Sequence, residues 1–209
     1  AVAILAGAAS RATALREDAT LAAFYLISLA LGVTIVSLRG SNVDLLRVLF
    51  GSVLALDDAT LLLLAGISSL TLLALAALYR PLTLETVDPG FFASISRLAG
   101  VTQAAFLALV VVNLVAGFHA LGTLMSVGLM MLPAASARLW ARTLPVMLAL
   151  SAVFAFAASY IGLIVSFHAG LPSGPLIVLA AGGLYVFSLV FGRAGGALRG
   201  RSAGRHLEA

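Results

Sequence analysis

The sequence predicts an all-α fold, a polytopic transmembrane helical bundle. Three observations lead there. Apolar residues make up 62% of the 209 and charged residues only 10%, whereas a soluble domain is nearer half apolar and a quarter charged. The apolar residues gather in six runs long enough to cross a bilayer. The basic residues fall between those runs with a consistent sidedness. A chain this apolar keeps a greasy surface even after burying a core, and lipid is the solvent that tolerates it.

The elements follow in chain order. Ala1–Ser10 (AVAILAGAAS) is too short to span and has no basic segment before it, so it reads as the tail of a helix whose beginning is missing. Six full spans then run over Leu21–Leu38, Ala59–Tyr79, Thr102–Phe118, Leu121–Ala137, Leu144–Phe167 and Gly174–Gly192. At about 1.5 Å rise per residue each reaches across a core of about 30 Å, the shortest only just.

All twelve basic residues are Arg. With Arg11 and Arg16 inside and the spans alternating, Arg80, Arg97, Arg138, Arg142, Arg193, Arg199, Arg201 and Arg205 also fall inside. Only Arg39 and Arg47 fall outside. Removing one span would invert everything downstream, so the bias supports the count. In a soluble protein the net charge of +4 would suggest nucleic acid; here the arginines mark membrane sides, and no nucleic-acid partner is expected.

Three connections carry structure of their own. In Arg39–Asp58, outside, Val43, Leu46, Val48, Leu49 and Val53 recur at near-helical spacing, which predicts a short interfacial helix. In Arg80–Val101, inside, Pro81 stops the preceding span. Asp88 suits an N-cap, Pro89 and Gly90 follow, Phe91, Phe92, Ile95 and Leu98 form an apolar stripe, and Gly100 suits a C-cap. A short amphipathic helix on the inner face is either a docking element or an ordinary surface helix. The outer turn Gly117–Gly122 leads into a helix where Pro133 should cause a kink or an end, and where Ala134–Ala137, with Ser136, permits close helix approach.

Chemistry is sparse. No Asp or Glu lies between Pro89 and Leu207, nor within the first two spans. Proton- or sodium-coupled carriers place an ionisable group in the bilayer, so a self-powered carrier is disfavoured. There is no Lys for a nucleotide loop, no Cys for a thiolate site, and no HExxH or GxSxG motif. The chain reads as a passive conduit and not an enzyme. Most in-span Ser and Thr bond their own carbonyls. Asn113 needs a partner helix, and with Ser126, Pro133 and Ser136 it is a candidate for helix packing or for lining a pathway. His119 and His168, both at outer helix ends, are the candidate metal contacts.

The pattern resembles the permeases of bacterial metal-ion ABC importers, the zinc/manganese/iron family called ABC-3. VDLLRVLFGSVLALDDATLLLL (Val43–Leu64) resembles the family's outer segment, and VDPGFFASISRLAGV (Val87–Val101) resembles its coupling segment. ALGTLMSVGLMMLPAASARLWAR (Ala120–Arg142) carries the most specific stretch, LPAASAR, and LPSGP (Leu171–Pro175) opens the last helix as in family members. REDATLAAFYLISLALG and SLRGSNVDLL look most like permeases assigned to zinc.

The resemblance implies a type II importer permease in the bacterial inner membrane, acting as a homodimer. A cytoplasmic ABC ATPase would dock on Asp88–Gly100. A periplasmic or lipid-anchored binding protein would deliver a divalent metal, zinc first and manganese second, and no cofactor would be permanently bound. It divides the chain into a permease domain, 1–192, with earlier helices missing, and a basic cytoplasmic tail, 193–209. Family members carry an Asp and a His in a GDALSHA-like segment of an earlier helix. No such segment occurs here, so the principal ligands are expected outside this sequence. A permease for a metal chelate is the second reading and a membrane scaffold the third.

Overall fold

The computed structural model describes residues 17–38, 56–87 and 99–194. Those residues form six α-helices: α1 (Glu17–Leu38), α2 (Asp58–Val87), α3 (Ala99–Leu121), α4 (Thr123–Arg138), α5 (Leu144–Ala169) and α6 (Ser173–Phe191). All except α4 are long and apolar enough to cross a membrane. The 16 residues of α4 reach about 24 Å at helical rise. The stretch expected as the fourth span is therefore a shorter helix, cut from α3 at Gly122. That glycine holds φ 82° and ψ 161°, a region open essentially to glycine alone.

The helices form two compact units, one of α1, α4, α5 and α6 and the other of α2 and α3. In the four-helix unit α6 is the centre. Its buried residues Ile177, Val178, Ala181, Tyr185 and Leu189 meet Ala23, Leu26 and Ala30 of α1, Met125 and Leu132 of α4, and Ala158 of α5. Small residues let three backbones approach it. A Cβ on Gly162 of α5 would stand 2.5 Å from the Ile177 Cα, and one on Gly182 would stand 2.5 Å from the Ile27 Cγ1 of α1. On α4, a Cβ on Gly128 would stand 3.1 Å from the Val178 Cγ2. This is how helices associate in lipid, by close packing rather than by escape from water. Outward faces are correspondingly greasy, with Phe156 75% and Phe167 85% exposed.

In the two-helix unit the contact is polar. Asn113 Nδ2 donates to Thr71 Oγ1 at 2.7 Å, and lies 2.8 Å from the Leu109 carbonyl on its own helix. Thr71 passes its own proton to the Ile67 carbonyl at 2.7 Å. The half-buried amide thus bonds to the neighbouring helix, as its chemistry requires.

Two expectations about helix ends are corrected. Pro81 does not stop α2, which continues to Val87. A proline inside a helix removes one backbone donor and leaves over the carbonyl four residues back, here that of Ala77, a loss that membrane helices tolerate. The Thr83 hydroxyl lies 3.0 Å from the Tyr79 carbonyl and 2.8 Å from that of Arg80. Gly100 is not a C-cap, because it is the second residue of α3 and is itself helical. Pro133 likewise sits inside α4 without ending it, and Ser136 Oγ donates to the Leu132 carbonyl at 2.7 Å beside it.

Candidate functional site

The chemistry-bearing side chains stand at helix ends. In the two-helix unit, α2 begins just after Asp57, whose carbonyl accepts the Leu61 N–H at 3.0 Å. Its carboxylate is capped in return by the Thr60 hydroxyl. That bond, first, holds the Asp57 carboxyl below its ordinary value; the Thr60 backbone N–H adds to it, and the His119 imidazole contributes the smallest pull. Both Asp57 and His119 are exposed. The outer segment of the sequence was read for its apolar spacing, and Asp57 was passed over. The signal that could have found it is an acidic N-cap with a hydroxyl residue three positions on, as in DDAT.

His168 occupies the last turn of α5. Its Nδ1 lies 2.9 Å from the Ile164 carbonyl. A carbonyl only accepts, so Nδ1 is the donor in this contact. Phe167 packs edge-on, with ring centroids 5.6 Å apart. Ile164, Val165 and Ala169 complete an open, almost wholly apolar hollow of about 470 Å³ around it. The turn after α5 is fixed by Gly170 at φ 64° and by Ser166 Oγ donating to the Leu171 carbonyl at 2.6 Å.

Among the described residues no three His, Asp or Glu side chains stand close enough to hold a metal ion. His119 stands in the last turn of α3 in one unit and His168 in the last turn of α5 in the other. Ser126, Pro133 and Ser136 are buried within α4. Asp88, Pro89, Gly90, Phe91, Phe92, Ile95 and Leu98 lie outside the described residues.

The opposite end of the four-helix unit is built around the turn after α4. Ala194 N–H donates to the Leu139 carbonyl at 2.8 Å, and Gly192 approaches so closely that a Cβ would stand 2.7 Å from that oxygen. Trp140 stacks on Phe187 of α6 with centroids 6.4 Å apart, and Phe187 meets Phe191 at 4.8 Å. Arg138 and Arg142 flank the indole and are exposed.

Comparison with known proteins adds the following. The model of the ABC 3 transport family matches residues 1–192. The chain is 31% identical over 190 residues to the manganese transport system membrane protein MntC of Halalkalibacterium halodurans, covering 90% of this chain and 65% of that protein. It is 29% identical to the manganese import system permease protein ScaB of Streptococcus parasanguinis, covering 83% and 62%. Its fold is similar to a chain of the structure "PsaBC from Streptococcus pneumoniae in complex with Fab", with TM-score 0.68 and 25% identity over 87% of this chain and 65% of the other. The chain therefore spans somewhat less than two thirds of the length of these relatives.

Proposed function

The chain belongs to the ABC 3 transport family, and from that premise we propose that it is a membrane-spanning permease subunit of an ATP-driven importer of divalent metal ions. It is a multi-pass protein of the bacterial cell membrane. The observation that carries the reading is the family match over residues 1–192. The physics agrees with it. The described spans between Gly100 and Phe191 hold no carboxylate, so they can wall a route but cannot drive a cation along it.

Manganese is the cargo we favour over the zinc suggested by the sequence resemblance, because relatives of 31% and 29% identity carry manganese in their names. Both metals take oxygen and nitrogen ligands. Two permease copies would form the pathway. ATPase subunits would dock on the 88–100 segment, with Phe91, Phe92, Ile95 and Leu98 as the apolar contact. A binding protein would deliver the ion at the end bearing His119 and His168.

The test is ATP hydrolysis by the permease reconstituted with its ATPase and binding protein. Manganese-loaded binding protein is expected to stimulate turnover severalfold. Stimulation by a siderophore or corrinoid complex alone would assign a chelate instead. Solute movement by the permease without nucleotide would overturn the reading altogether.

A further inference from the structure

We propose that the Arg138–Arg142 turn (RLWAR) is a seat for an anionic phospholipid, with the headgroup on the two guanidinium groups and an acyl chain along the aromatic ladder beneath. Four observations meet here. The bond from Ala194 N–H to the Leu139 carbonyl fixes the turn at the level where the apolar span of α6 ends. That level is the boundary between hydrocarbon and headgroups, where tryptophan concentrates. Below the turn, Trp140, Phe187 and Phe191 form a continuous ladder, and Phe187 and Phe191 are 52% and 54% exposed.

Charge completes the match. Arg138 and Arg142 are exposed and have no ion-pair partner among the described residues. The sequence from Pro89 to Leu207 supplies no carboxylate to neutralise them. Arg193 already has an interaction of its own, so the seat rests on the other two. A ligand suited to this place is anionic at one end and apolar at the other. A soluble ATPase could meet the arginines but could not reach Phe187 inside the span. The arginine distribution puts this end on the cytoplasmic side, where polybasic segments draw anionic lipid.

The experiment uses the single tryptophan of the chain, which is Trp140. The full chain is reconstituted in phosphatidylcholine vesicles, and part of the lipid is replaced by brominated phosphatidylglycerol or by brominated phosphatidylcholine. The anionic quencher is expected to act at a lower mole fraction, with about fivefold selectivity for each arginine. R138Q/R142Q should remove the preference while keeping quenching by both lipids, and R138K/R142K should retain most of it. Equal quenching by the two lipids in the unaltered chain would overturn the proposal, whatever the variants do. So would a preference that survives R138Q/R142Q. Loss of the preference on adding millimolar inorganic phosphate would assign a free anion and overturn the lipid. Equal quenching together with a shift of Trp140 emission on adding the ATPase would assign the patch to that protein.

Discussion

At the scale of single residues, the polar side chains act mostly on backbone rather than on solute. Ser136 and Ser188 return their protons to carbonyls four residues back, which removes a polar group from the apolar interior without a partner helix. Asn113 is different because an amide carries more bonding capacity than its own helix can use. Its bond to Thr71 joins α2 to α3. Asn113→Val and Thr71→Val should each weaken that pairing by about 0.5–1.5 kcal/mol, and the double variant should cost little more than either. Thermal unfolding of the detergent-solubilised chain in a double-mutant cycle checks the coupling.

Asp57 gives a pH prediction. Its folded carboxyl is depressed from 3.8, chiefly by the Thr60 hydroxyl bond. A depressed acid stabilises the fold above its unfolded value, and the contribution disappears as pH falls through the lowered folded value. Protection of the Thr60 and Leu61 amides, taken relative to the intrinsic exchange rate at each pH, should therefore hold at higher pH and fall as the Asp57 carboxyl protonates, and Asp57→Asn should abolish that dependence.

At the scale of elements, α6 is most enclosed over its first turns, where Ser173–Val178 are all buried. Gly162 of α5 sits against the backbone of Ile177, and backbone cannot rotate aside as a side chain can. Gly162→Ala should destabilise the four-helix unit by about 1–3 kcal/mol. Gly183→Ala, on α6 with nothing within 4 Å, should be neutral or slightly stabilising. Unfolding midpoints of the two variants measured side by side make the comparison. Sequence reading reaches these elements unevenly. Apolar runs made the long helices visible, because a hydrocarbon solvent leaves little freedom in length or polarity. The passage of α2 through Pro81 was hidden, because one lost backbone bond does not have to end a helix whose other residues keep theirs. The helical state of Gly100 was hidden for a similar reason. Glycine permits a cap without requiring one.

At the scale of the whole molecule, fold and family were both legible. The spans and their sidedness gave a polytopic bundle, and LPAASAR and LPSGP gave the family that the comparison identifies over residues 1–192. The site was much less legible, and the reason is physical. A cation in hydrocarbon needs convergent oxygen and nitrogen ligands, and no three of the described His, Asp or Glu side chains come together to supply them. The proposed engine lies in partner subunits, and the proposed docking surface for it on this chain is 88–100. Asp88→Ala combined with Phe91→Ala should prevent co-purification of the ATPase while membrane insertion stays normal. Undiminished co-purification would remove 88–100 from that role.

The two contacts that α4 makes with its core have a consequence for how such chains vary. Each residue turns an α-helix by about 100° about its own axis. Inserting or deleting one position between Gly128, which meets Val178, and Leu132, which lies in the core, would swing one of the two away from its place. Length changes between homologous chains should therefore be absent from this stretch of α4.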